Sequence, residues 1–481
     1  MTEVIPHWLS KQADLAPGQT AIEYKDSNSI TFSELEQKSR QFARKLAALD
    51  IRKGSRVGVL SGNSEAFVVT LHALSYLGAV AVLLNTRLTE AELTHQLKDA
   101  HVTLLLASGE AVDRGMSFPV KVYAMEEVEG YGEKEVDLAE EIHLDDPFTI
   151  IYTSGTTGFP KGVIHTYGNH WWSAVSSALN LGIDQTDKWL MAMPVFHVSG
   201  LSILMKSVIY GMPVFMLEKF DVKEVHQAIM EKDVTIVSVV TVMVQRLLQQ
   251  LGDRKYPDTF RCMLLGGGPA PKPLLREAQQ RNIPVFQSYG LTETSSQIVT
   301  LSPKDTLRKV GSAGKPLMPA QLRIVEKDNE GIGEIYVKGP MVTKGYYNNQ
   351  EANEKAFVNG WLSTGDLGRL DEEGFLYVAD RRKDLIISGG ENIYPSEIES
   401  VLSGMEQIRE VGVAGVEDPT WGQVPAAYVV KAHEVSKEEI VTYARNLLAG
   451  YKIPKYIHFI SELPRNASNK IVRSALEDHK E

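Results

Sequence analysis

A two-part α/β protein is predicted by three observations. Strand-like apolar runs alternate with helix-length patterns through most of the chain. From about Gly311 to Tyr377 that rhythm gives way to short strands among Gly, Pro and Asn turns. After the charged run Asp380-Arg-Arg-Lys-Asp384, about a hundred residues carry strand, helix and strand patterns of their own. The β–α alternation argues for doubly wound sheets, largely parallel and covered by helices. The middle texture argues for a small antiparallel β subdomain. A chain of 481 residues also exceeds what one hydrophobic core supports. The expected architecture is a large core over 1–380 with a β-rich subdomain at about 311–377, and a smaller α+β domain over 385–481.

The elements follow in order. Arg56-Val-Gly-Val-Leu60 reads as a strand, and Ser61-Gly-Asn-Ser64 as the turn that caps the next helix. Between Glu65 and Arg87 no residue is formally charged, which is long enough for a bilayer crossing. Thr70, His72, Ser75 and Tyr76 punctuate that stretch and Gly78-Ala79 divides it, so a buried helix, turn and strand (Val80–Leu84) is expected instead. Phe148–Ile151, Trp189–Met193, Pro213–Leu217, Val234–Ser238, Cys262–Leu265 and Pro284–Ser288 read as further strands. Gly333–Lys338 is a strand of the antiparallel region. Leu385–Ile387, Pro395–Ser403, Ala426–Lys431 and Ser436–Leu448 are the candidate elements of the last domain.

Composition narrows the function. The formal net charge is −11 and no Lys/Arg-rich block occurs, which argues against nucleic acid or an anionic membrane as the main partner. The single cysteine, Cys262, excludes an internal disulfide framework and a Cys-rich metal site. Its place in Arg-Cys-Met-Leu-Leu marks a buried strand residue and not a nucleophile. The N-terminus lacks a basic segment followed by an apolar one, so no secretory signal is expected and the cytoplasm is the default location.

The most informative segment is Tyr152-Thr-Ser-Gly-Thr-Thr-Gly-Phe-Pro-Lys161-Gly162, directly after a buried strand. Thr153, Ser154, Thr156 and Thr157 with Gly155 and Gly158 let backbone N–H groups approach phosphate oxygens, and Lys161 adds a point charge. Such loops at the C-terminal ends of strands collect ligands in open α/β sheets. It is not a Walker A loop, because Pro160 and Gly162 flank the lysine where that motif needs Gly and Ser/Thr. Gly266-Gly-Gly-Pro-Ala-Pro271, at a strand–helix junction, leaves Gly267, Gly268 and Pro269 free to lie against a flat ring or a phosphate. In Ser288-Tyr289-Gly290-Leu-Thr292-Glu293 the tyrosine can stack on adenine and Thr292 can donate to an α-phosphate oxygen. Glu293, with Thr153, can hold Mg²⁺, a hard cation that favours carboxylate and phosphate oxygens.

The glycine- and threonine-rich loop and the Tyr-Gly-x-Thr-Glu run, in this order, closely resemble the signatures of the adenylate-forming superfamily of acyl- and aryl-CoA synthetases, luciferases and peptide-synthetase adenylation domains. The resemblance covers essentially the whole chain and implies ATP and Mg²⁺ as cofactors, with CoA as co-substrate. It implies that 1–380 is the adenylation core, that 381–384 is a hinge centred on Lys383, and that 385–481 is mobile. By the same resemblance Asp366, in Thr364-Gly-Asp366, accepts hydrogen bonds from the ribose hydroxyls, and Arg381 reaches the ribose or a phosphate. Ser388, Gly389 and Gly390 line a pantetheine tunnel. Lys470, in Leu463-Pro-Arg-Asn-Ala-Ser-Asn-Lys470, is the catalytic lysine, although Asn469 stands where that family commonly has glycine.

Tyr167–Gly182, Phe196-His-Val-Ser-Gly200, Lys206–Gly211 and Pro464–Lys470 are similar to a narrower family, the 2-succinylbenzoate–CoA ligases of menaquinone biosynthesis. That resemblance implies a substrate with two carboxylates. One is activated with the help of Lys470, His197, Thr292 and Glu293; the other needs donors or a cation in its pocket. Candidates are His197, Ser199, Ser202 and Lys206, the last three on one helical face at i, i+3 and i+7. Alternatives are another aryl- or acyl-CoA ligase, a carrier-protein-loading adenylation enzyme, or a non-catalytic nucleotide binder. Residues 471–481 leave no room for a fused carrier, so a carrier is expected to be separate. The residues do not fix an oligomeric state.

Overall fold

The computed structural model describes residues 3–112, 117–153, 160–267, 270–302, 305, 308–328, 331–381, 384–388, 391–418, 421–448, 450–466 and 470–479. The fold is mixed α/β, as the alternation predicts. Among the described residues, a six-stranded sheet is ordered Lys161–Thr166, Pro147–Thr153, Val80–Leu83, Arg56–Leu60, Leu104–Ala107, Lys121–Ala124. Its pairs are parallel except the first, an antiparallel hairpin. A nine-stranded sheet has a parallel interior running from Val285–Leu291 through Cys262–Leu265, Ile236–Val239, Trp189–Met191 and Val214–Met216 to Thr20–Tyr24. Antiparallel strands cap both ends: Ser296–Thr300 with Lys315–Pro316, and Ser29–Thr31.

Interior strands of these sheets are buried on both faces, which is why they read as unbroken apolar runs and not as alternation. The uncharged stretch resolves as expected into the helix Glu65–Tyr76, capped by Ser64 Oγ accepting from Phe67 N–H, a turn at Gly78 with φ +62°, and the strand Val80–Leu83. No helix among the described residues is long and apolar enough to cross a membrane. Cys262 lies fully buried in its strand, and burial pushes its thiol up to about 12, so it stays protonated and unreactive.

An antiparallel sheet follows, built from Gln321–Val325, Gly333–Lys338, Trp361–Leu370, Phe357–Val358 and Leu376–Arg381. The last sheet combines Ile386–Ser388, Glu391–Ile393, Ile408–Asp418, Gly422–Lys431 and Tyr456–Phe459 with helices Pro395–Leu402 and Lys437–Arg445. It has its own apolar core around Ile398, Val413, Val429 and Ile440. Tyr394 OH donates to Asp328 Oδ2 at 2.9 Å, and Ser396 Oγ donates to the Ala379 carbonyl, joining this last unit to the antiparallel sheet.

Candidate active site

The strands Pro147–Thr153 and Lys161–Thr166 pair with Thr153 opposite Lys161, at the two ends of the glycine- and threonine-rich segment in sequence. Ser154, Gly155, Thr156, Thr157 and Gly158 lie outside the described residues. So do Gly268, Pro269, Lys383, Gly389 and Gly390, and the side chain of Arg381. Lys161 opens the second strand, and its ammonium sits 5.1 Å from the centre of the Tyr346 ring.

Five strands further along the chain, Val285–Leu291 runs into a single 3₁₀ turn, Thr292–Thr294. Here Gly290 is required. A Cβ at that position would lie 2.1 Å from the Ser296 carbonyl oxygen, against backbone that cannot yield. Gly290→Ala is therefore expected to destabilise the fold by about 1–3 kcal/mol, read by chemical denaturation. It should also displace Thr292 and Glu293, read as weakened ATP binding; wild-type values for both would show that the turn is not constrained.

The turn is held from three sides. His165 Nε2 donates to the Thr292 carbonyl at 2.6 Å, Thr343 N–H donates to the Glu293 carbonyl at 2.8 Å, and Tyr346 OH donates to Glu293 Oε1 at 2.9 Å. Burial holds the His165 imidazole at about 4, so it is neutral, and the bond to a carbonyl puts its proton on Nε2. Its Nδ1 faces Thr149 Oγ1 at 3.4 Å, which in turn lies 3.1 Å from His170 Nε2. Glu293 offers a carboxylate, and Thr153 a hydroxyl, hard oxygen donors of the kind that would suit Mg²⁺.

Tyr289 OH donates to Asp366 Oδ2 at 2.9 Å, and both side chains are buried. Asp366 stands opposite Arg381 in the antiparallel ladder Trp361–Leu370 with Leu376–Arg381. The expected adenine-stacking ring and ribose carboxylate are thus one hydrogen-bonded pair. Gly267 adopts φ +84° after the strand Cys262–Leu265, and Ser288 Oγ donates to the Leu265 carbonyl at 3.1 Å, pinning the neighbouring strand beside that turn.

His197 is the N-cap residue of the helix Val198–Tyr210. Burial, then the positive charges of Lys470 and Arg87, lower its imidazole to about 4. It is neutral at physiological pH and can serve as a hydrogen-bonding group but not as a cation. The same interaction places Lys470, from the far end of the chain, within electrostatic reach of His197. The lysine closes a small hairpin: its N–H donates to Asn466 Oδ1 and its carbonyl accepts from Asn466 N–H, both at 2.9 Å, beside a bridge between Arg465 and Ile471. Asn466 thus holds Lys470, while Asn469, which stands where glycine is expected, lies outside the described residues.

Within the helix, Ser202 Oγ donates back to the Ser199 carbonyl. Lys206 is 2 % exposed and does not reach solvent. Its ammonium lies 5.0 Å from the Trp189 ring centre and 3.4 Å from Gln297 Oε1, and burial lowers it to about 7. Among the described residues no carboxylate forms an ion pair with it. Ser388 belongs to the C-terminal sheet, opposite Glu391 and Gly422, and so stands on a different unit from the nucleotide residues.

Sequence reading missed Arg87, His165 and Tyr346. Arg87 had a signal: it is the first charge after a buried parallel strand. His165 and Tyr346 had none, since their roles arise from contacts to residues more than fifty positions away.

Residues 9–347 match the AMP-binding enzyme family, and residues 397–470 match the AMP-binding enzyme C-terminal domain. The chain is 58% identical over 480 residues to a 2-succinylbenzoate–CoA ligase of Oceanobacillus iheyensis, covering 99% of this chain and 100% of the relative. It is 54% identical to the ligase of that description from Bacillus cytotoxicus, covering 98% of each. Among solved structures, o-succinylbenzoate CoA synthetase from Bacillus subtilis in complex with the acyl-adenylate intermediate OSB-AMP superposes with a TM-score of 0.94 at 48% identity over 99% of both chains. The Bacillus subtilis enzyme in complex with ATP and magnesium ion gives 0.93 at 48% identity, covering 99% of this chain and 100% of that one. The chain belongs to the AMP-binding enzyme family, the adenylate-forming enzymes, among relatives named 2-succinylbenzoate–CoA ligase.

Proposed function

We propose that this chain is an acid–thiol ligase that joins 2-succinylbenzoate to CoA at the expense of ATP, in menaquinone (vitamin K2) biosynthesis. The observation that supports the reading is a core on which Tyr346 holds Glu293 and Tyr289 holds Asp366, in a chain 58% identical over its length to a 2-succinylbenzoate–CoA ligase. In the first half-reaction a carboxylate oxygen of the substrate attacks the α-phosphorus of ATP, and the bond to the bridging oxygen of pyrophosphate breaks. In the second, the CoA sulfur loses its proton and attacks the acyl carbon, and the bond to AMP breaks. Charge gathers on phosphoryl oxygens in the first step, so fixed cations and N–H donors dominate its catalysis.

Within that reading Lys470 is the cation at the α-phosphate and attacking carboxylate. Thr153, Ser154, Thr156, Thr157 and Lys161 cradle the pyrophosphate. Glu293 with Thr153 holds the Mg²⁺, which neutralises phosphate charge when bound. Asp366 and Arg381 take the ribose side, and Ser388, Gly389 and Gly390 the pantetheine. Lys206, a buried cation two and a half turns along the helix from His197, takes the second carboxylate. Nine residues at about 1.5 Å rise put roughly 13 Å between the helix positions, room for an aromatic dicarboxylate between the neutral imidazole of His197 and the Lys206 ammonium.

CoA-dependent AMP release over a panel of acids tests the reading. 2-Succinylbenzoate should be the best substrate; turnover of benzoate or hexanoate with none of 2-succinylbenzoate would leave only the family standing. ATP–pyrophosphate exchange without any thioester on adding CoA would favour a carrier-loading enzyme.

The proposal includes a rotation of the 385–481 unit about Lys383, since Lys470 must meet the α-phosphate first and CoA must enter afterwards. Lys383→Pro restricts the backbone there. It is expected to alter the two half-reactions unequally in single-turnover measurements. Equal slowing of both in a stably folded variant counts against the hinge.

A further inference from the structure

We infer that Tyr346 is a positioning residue that ties the magnesium carboxylate to the phosphate-loop lysine, so that metal and pyrophosphate are held as one unit. The inference rests on the reading of Glu293 as the Mg²⁺ ligand. Its phenol donates to Glu293 Oε1 at 2.9 Å, while the face of its ring lies 5.1 Å from the Lys161 ammonium. A carboxylate only accepts, so the phenol must be the donor. One carboxylate oxygen is thereby occupied and the rotamer fixed, which lowers the entropy cost of meeting a metal. The ring adds a cation–π contact that restrains the lysine.

The backbone around Tyr346 is built to hold this pose. Its N–H donates to Asn353 Oδ1 at 2.6 Å, and Asn353 Nδ2 donates back to its carbonyl at 3.0 Å. Tyr347 N–H donates to the Gly162 carbonyl at 2.7 Å, and Ile164 N–H to the Gly345 carbonyl at 3.2 Å. The segment thus lies along the strand that leaves the phosphate loop. Thr343, three residues earlier, holds the Glu293 carbonyl. One short stretch, 343–347, grips both signature motifs.

Tyr346→Phe removes only the hydroxyl and keeps the ring over Lys161. Binding of a fluorescent ATP analogue should be titrated with Mg²⁺ and, separately, in EDTA. The Mg²⁺ concentration for half-maximal enhancement of binding should rise roughly 10-fold, with affinity in EDTA unchanged. Thioester formation from supplied acyl-AMP should also be unchanged. A wild-type Mg²⁺ curve for Tyr346→Phe overturns the inference. Glu293→Gln run alongside separates the two levels: it should lose the Mg²⁺ enhancement, and if it keeps it the metal assignment itself fails.

Discussion

Lys470→Ala is expected to lose acyl-AMP formation by a factor of about 100 or more, on the scale of removing a preorganised oxyanion donor, while conversion of supplied acyl-AMP to acyl-CoA stays near the wild-type rate. The asymmetry comes from where charge develops. In the first half-reaction a carboxylate anion meets a polyanionic phosphate, and a fixed ammonium offsets repulsion that grows toward the transition state. In the second, AMP is already a good leaving group and the proposed rotation has carried the lysine away. The Lys470 charge is one of the causes that lower the basicity of His197.

Folding of this variant should be intact. Lys470 is exposed, and the hydrogen bonds that close its turn run through backbone groups and the Asn466 side chain, which alanine leaves in place. The His197 imidazole gives a second readout: with the lysine charge gone its pKa should rise, because one of the causes that lower it is removed. Single-turnover measurement of each half settles the role. Wild-type adenylation by Lys470→Ala would return this lysine to the status of a surface charge.

Local signals in the sequence carried much of the architecture and little of the wiring. Arg56–Leu60, Cys262–Leu265 and Gly333–Lys338 were readable to the residue because buried strands bounded by turn residues leave an unambiguous apolar run. Other ends shifted by a few residues. The run Trp189–Met193 yields a strand only to Met191, because Pro194 follows and the chain must turn toward His197. Gly422–Lys431 begins earlier than its apolar part, since pairing with Ile408–Asp418 extends the ladder through Gly422, Gln423 and Pro425.

The site was legible where one segment carries its own chemistry, as in the Tyr-Gly-x-Thr-Glu turn. It was not legible where function comes from a pairing across the fold. Nothing near Asp366 announces that Tyr289 will bond it. Nor does the Gly- and Asn-rich run containing Tyr346 announce a clamp on Glu293, because turn composition reports backbone shape and not side-chain destination. Lys206 shows the same limit from the other side. A lysine on an apolar helix ordinarily snorkels to water, and only the packing of Trp189, Cys262 and Gln297 around it shows a charge held in the interior.

Lys206→Met should weaken 2-succinylbenzoate far more than it harms the protein. A carboxylate buried without its partner costs about 3 kcal/mol or more, a factor of ~100 in affinity. The KM for 2-succinylbenzoate should rise accordingly, while a monocarboxylate such as benzoate, lacking the second anion, should change little. The unliganded protein should become more stable, since a buried cation is replaced by an apolar side chain of similar length. Titration supplies an independent arm. The folded-state pKa of about 7 lies below the free value of 10.5, so between them the unfolded chain binds more protons than the native one. Stability of the unliganded wild type should therefore climb as pH rises from about 7 toward 10.5, and Lys206→Met should remove that contribution. Binding has the opposite slope, because only the ammonium form attracts the carboxylate: affinity should fall as pH rises above about 7, and binding near pH 8 should take up a proton. Calorimetry in buffers of different ionisation enthalpy measures that uptake. Unchanged KM in Lys206→Met, with no proton uptake in the wild type, would move the second carboxylate elsewhere and leave Lys206 as a core residue of the helix Val198–Tyr210.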